Sequence, residues 1–246
     1  MSGYKFSQKL TKYLNKIKNE TGRKIKFLER SDLGIKGTTA AYRYNPQYIL
    51  IIINPENHRS KGDIERSVAH EATHGYILHK LGFCLAEFHE NMDDKYKMDV
   101  QLVFTMIEDI VVNKIIQNNG FPPFGHEYLP MVNKEIEIAH EGEEKGEIFY
   151  HKFTDDPHLE ALLMISRYII AWGFLRYYKL QLSDAEIINK FTSAFKRFYP
   201  DYYQFAAKIE EIIEKKDIFK GNDECKAILE ILQFFKLSEG VELVRD

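Results

Sequence analysis

Apolar residues recur along this chain at two spacings, and the changes between them divide it into elements. Phe6, Leu10, Tyr13, Leu14 and Ile17 share one helical face and Gly22 follows as a stop, so an amphipathic helix is predicted over about Ser7 to Glu20. Lys24–Glu29 and Thr38–Tyr44 read as short strands, the second followed by a turn at Asn45-Pro46. Tyr48–Ile53 is an unbroken β-branched run closed by Asn54-Pro55, which suits either a strand covered on both faces or one edge of a small sheet.

Helical spacing then dominates. Ser60 and Asp63 are cap candidates for a helix over Lys61–Leu81, with Ile64, Val68, Leu78 and Leu81 on one side and Gly82 as its stop. A second helix, about Asp94 to Asn119, is apolar nearly all round and so is expected to be central. From Phe121 to Asp156 the chain reads as a long irregular connection, acidic over Glu141–Glu147. Four further helices are predicted: one capped by Asp156, one opened by the capping box Ser183–Glu186, one starting at Pro200, and one from Asn222 or Asp223 to near Phe235. The stretch Leu159–Tyr178, carrying Trp172, is apolar enough to consider for a membrane, but Arg167 and Arg176 interrupt it, so it reads as a buried helix. The expected fold is α+β and predominantly helical, with a sheet-bearing lobe over 1–120 and a helical lobe over 121–246.

Composition narrows the partners. Thirty-four Lys and Arg against 37 Asp and Glu give a net charge of −3, without the basic excess that nucleic acid binding calls for. The two cysteines, Cys84 and Cys225, are too far apart in sequence for a paired thiolate motif, and the first residues carry no apolar signal core, so a cytoplasmic, reducing setting is expected.

The candidate chemistry lies in His70-Glu71-Ala72-Thr73-His74, in the middle of the Lys61–Leu81 helix. Two histidines four residues apart differ by about 40° around a helix axis, so both rings can reach one tetrahedral ion such as Zn²⁺. Glu71, about 100° from His70, can approach a water at that ion without being a ligand, which suits a general base. His79 is about 180° from His70 and is assigned no role.

This arrangement resembles the gluzincin branch of the zincin metallopeptidases, in which a small sheet precedes a His-Glu-x-x-His helix and a later helix supplies an acidic third ligand. The resemblance covers about residues 24–119. It implies a zincin-like lobe, a zinc cofactor, hydrolysis of a peptide or protein substrate, and a third ligand from Met106-Ile-Glu-Asp-Ile-Val-Val-Asn113. Glu108 is favoured for its reach and because the family uses glutamate there, with Asp109 then supporting a ligand histidine. The family's aspartate four residues later is replaced here by Val112, whereas Asp109 has Asn113 at that spacing, so Asp109 is the alternative ligand. The resemblance also implies that Tyr48–Ile53 flanks the cleft, where an extended peptide could pair with its edge, and that a Tyr, His or Arg of the later lobe steadies the oxyanion. His126, His140, Tyr150, His151, His158 and Arg167 are the candidates. The alternative reading is a non-catalytic zincin-like regulatory or protein-binding module, and a third is a structural zinc closed by a fourth ligand.

Overall fold

The computed structural model describes residues 5–31, 33, 39–57, 60–122, 125–141, 154–178 and 185–246. The chain is α+β and mostly helical, and it divides into two compact units. The first comprises Met1–Cys84, Ile115–Pro123 and Arg245–Asp246, and the second Leu85–Lys114 and Phe124–Val244. Residues 85–114, which the sequence places with the metal-binding lobe, thus group with the second unit.

The first unit holds α1 (Gln8–Thr21), β1 (Lys24–Glu29), β2 (Ala40–Arg43), β3 (Tyr48–Ile53) and α2 (Lys61–Leu81). Ser7 caps α1 by accepting the Leu10 N–H, and Glu65 of α2 accepts both the N–H and the hydroxyl of Ser7 at 2.6 Å. A carboxylate at a helix N-terminus meets the positive end of its dipole, so this contact also fixes α1 against α2. Ser60 caps α2 and Gly82, in the left-handed region at φ 69°, ends it.

The sheet order is β1-β3-β2, with β3 parallel to β1 and antiparallel to β2. β3 is therefore central, paired along both sides, and the expectation that it offers an edge to a peptide is corrected. Its second face is covered too, with Ile52 buried and Tyr48 and Leu50 half-buried, which explains the unbroken apolar run. Ile49, Ile51 and Ile53 point into the core formed with Leu10, Leu14, Ile17, Val68, Ala69, Ala72, Ile116 and Phe121.

The small residues of α2 let it lie close on the sheet. A Cβ on Gly75, beside His74, would come within 2.7 Å of the Ile49 side chain, which is fully buried. Gly75→Ala should gain helix propensity yet lose more to overpacking, a net loss of about 1–2 kcal/mol read from a denaturant midpoint; a stabilised variant would contradict the packing. Tyr13 of α1 reinforces the same junction through a buried 2.7 Å bond with Thr73, and burial pushes its hydroxyl up to about 12. Leu81, expected on the apolar side of α2, is 36% exposed because the helix ends there.

The second unit contains β4 (Leu85–Phe88), α3 (Asp94–Asn118) up to Lys114, α4 (Gly125–Glu141), α5 (Pro157–Tyr177), α6 (Ala185–Phe198), α7 (Pro200–Glu214), α8 (Gly221–Phe234) and β5 (Val241–Val244), which pairs antiparallel with β4. α4 corrects the irregular connection expected there. Pro130 lies in its second turn and removes one backbone bond there, and Val132, Glu135 and Ala139 form a buried stripe. Ser183 and Asp184 of the expected capping box, and most of Glu141–Glu147, lie outside the described residues. α5 is long and apolar enough to cross a membrane by length and composition, and 61% of its most apolar window is buried within the protein. Gly173 of α5 is where that helix meets α3: a Cβ there would sit 2.3 Å from Ile110 Cδ1.

Candidate metal centre

α2 carries His70, Glu71 and His74 in the order the sequence requires, and one unit holds all three. His70 is buried, 6% exposed, and His74 is half-buried. Their Nε2 atoms lie 3.2 Å apart with the ring planes at 69°. Two nitrogens each about 2.0–2.1 Å from a tetrahedral ion are separated by about 3.3–3.4 Å, so the pair has the spacing of two ligands on one zinc ion. The donor set also fits chemically, because two neutral imidazoles directed to one point are what a borderline-soft divalent cation takes.

Glu71 is held from the sheet side. Its Oε2 accepts the backbone N–H of Tyr42 at 2.6 Å. The pairing of β2 explains why that N–H is available. Thr39 O accepts from Asn54 N at 2.8 Å, and the register Ala41↔Ile52 continues the bonded positions. In an antiparallel ladder the alternate residues, Ala40 and Tyr42, then turn their N–H and C=O to the outer edge. β2 ends the sheet, so the general-base candidate bonds to the outward N–H row of that strand.

Tyr42 also packs beside the histidines. Its ring lies parallel to His74, 6.4 Å between centroids and 10° between planes. Its hydroxyl is 3.4 Å from His79 Nε2, and His79 Nδ1 is 2.6 Å from Asp246 Oδ2. Asp246 takes two more donors, Arg23 at 2.9 Å and the Tyr44 hydroxyl at 2.9 Å. Burial alone would raise the Asp246 carboxyl, but the bonds from His79, Tyr44 and Arg23 outweigh it and hold the group at about 2. A carboxyl depressed by folding stabilises the fold above its unfolded value near 4 and loses that contribution as pH falls through 2. Acid unfolding between pH 4 and 2 should therefore be less steep in Asp246→Asn than in the unaltered protein; equal pH dependence would contradict the three-donor cluster. His79, given no role from its helical angle, is thus fixed by a residue 167 positions away, and no local signal could reveal it.

The expected third ligands lie on α3, in the second unit. Glu108 and Asp109 are both half-buried, and Asn113 is buried at 3% exposure. The Tyr178 hydroxyl donates to the carbonyl of Ile110 at 2.9 Å, which fixes the backbone of α3 just after the pair. Of the oxyanion candidates, Tyr150 and His151 lie outside the described residues, as do the side chains of His126 and His140. His158 pairs with Asp99 at 3.2 Å, and burial foremost raises the Asp99 carboxyl. Arg167 lies on α5. No oxyanion donor is assigned.

No family model matches the chain, and no curated protein or solved structure matches it significantly.

Proposed function

We propose that this chain is a zinc-dependent peptidase of zincin-like architecture, in which His70 and His74 hold the metal and Glu71 is the general base. The observation that carries the reading is the pair of imidazole nitrogens 3.2 Å apart on one helix, with the intervening glutamate anchored at the adjoining sheet edge. A zinc ion held there supplies an acidified water and a positive charge for a developing oxyanion. Glu71 has one oxygen tied to the Tyr42 N–H, which leaves the other to take a proton from the attacking water and return it to the leaving amine.

A carboxylate of α3, Glu108 or Asp109, is the proposed third ligand. With Glu108 as ligand, Asp109 supports a ligand histidine; with Asp109 as ligand, Asn113 four residues later supports it.

The outer edge of β2 supports a peptide substrate. An extended backbone can pair with the outward N–H and C=O of Ala40, next to the Tyr42 N–H that Glu71 occupies, which brings a substrate amide near Glu71. The test is direct: zinc-loaded and chelator-stripped protein are incubated with an unfolded protein and a mixed peptide library, and fragments are read by mass spectrometry. Cleavage that appears only with zinc supports the reading. One zinc per chain without cleavage would instead support a protein-binding module.

A further inference from the structure

A line of hydrogen bonds inside the first unit runs from Asp246 to the back of the proposed metal centre. Asp246 gathers Arg23, Tyr44 and His79. An ionised carboxylate only accepts, so His79 donates from Nδ1 to Asp246, and its Nε2 faces the Tyr42 hydroxyl. The Tyr42 hydroxyl lies 3.4 Å from that nitrogen and shares a hydrogen bond with it. The side chain of His79 has no exposed surface, and the Tyr44 ring stacks on it at 5.6 Å, so the imidazole cannot turn away without breaking several contacts.

Tyr42 is the joint of this line. It spans from His79 to His74, positions five residues apart on α2, with its hydroxyl at one and its ring over the other. Its backbone N–H holds Glu71 at 2.6 Å. The two groups that the peptidase reading depends on, a ligand ring and the general base, thus both rest on one residue of an edge strand. That residue is itself pinned through His79 by Asp246. An edge strand has neighbours on one side only, so β2 lacks the second ladder that would otherwise fix its distance from α2.

We propose that Asp246 and His79 are positioning residues that act through Tyr42 to set His74 and Glu71 for zinc binding and proton transfer. The proposal rests on the metal-centre reading. Its distinguishing consequence is that the three residues behave as one unit. Deleting the Tyr42 hydroxyl or the Asp246 carboxylate cuts the same line, so cutting it twice adds nothing, whereas separate structural ties would add.

The test uses the full chain with five variants: Tyr42→Phe, Asp246→Ala, the two combined, Asp246→Asn, and Tyr76→Phe. The last removes a 2.7 Å bond to Glu20 from the same helix but has no link to Tyr42, and serves as the control. Zinc affinity is measured by chelator competition, and the Tyr42 amide is followed by NMR in the metal-free proteins. Each single cut should weaken zinc roughly tenfold, in the range of losing a group that supports a ligand. The double variant should be no weaker than either single one, and Asp246→Asn, which keeps an acceptor for His79, should recover most of the loss. The low-field Tyr42 amide should move in Tyr42→Phe and Asp246→Ala and stay in Tyr76→Phe. Additive losses, or an unmoved amide, would overturn the proposal. If the unaltered protein takes up no zinc while the amide responds as stated, the line to Glu71 stands and the metal reading fails.

Discussion

Glu71→Gln is expected to bind zinc as the unaltered protein does and to lose at least a hundredfold in kcat/KM. Glutamine matches glutamate in size, and its amide oxygen can still accept the Tyr42 N–H that Glu71 now takes at 2.6 Å. The surroundings of the two histidines should then be unchanged. What glutamine lacks is a site for the water proton, and a positioned base contributes about 10²–10⁴ in rate. The variant thus separates chemistry from metal binding. Turnover retained within a few fold would remove Glu71 from the reaction, and loss of zinc in this variant would make it a ligand.

His70→Ala and His74→Ala are expected each to weaken zinc binding by more than about a hundredfold, beyond what losing a merely supporting group costs. His70 is 6% exposed and its Nε2 lies 3.2 Å from that of His74. Neither ring can be replaced by a neighbouring side chain of α2, since the intervening positions hold Glu71, Ala72 and Thr73, and the Thr73 hydroxyl is committed to Tyr13 and to the Ala69 carbonyl. The carboxylates of α3 divide in the same assay. One of Asp109→Ala and Glu108→Ala should resemble the histidine variants while the other holds zinc nearly as well as the unaltered chain; if both hold it, α3 supplies no ligand. Chelator competition with intact and variant protein reads all four.

Local signals made much of the first unit legible. The bounds of β1, β3 and α2 follow from β-branched runs, from Ser60 and from Gly82, each acting within a few residues. The spacing of His70 and His74 is likewise a property of one helix. β3 could not be placed as central or edge, because an apolar run states that a strand is covered and not by what. α4 was hidden by Pro130 and by Pro-Pro before it, whose breaking signals outweigh a narrow buried stripe. β4 and β5 are four residues each and pair across more than 150 positions, so neither carries a hairpin signal. The Asp246–His79–Tyr42 line was invisible for the same reason: each bond joins residues that only the tertiary fold brings together.

The most direct measurement is X-ray absorption at the zinc edge on protein loaded to saturation, with metal content determined on the same sample. The account requires one zinc per chain, two imidazole nitrogens at about 2.0–2.1 Å, and loss of both in the His70→Ala/His74→Ala double variant. A chain that stays metal-free in excess zinc, or a zinc that the double variant retains with its spectrum unchanged, would contradict it.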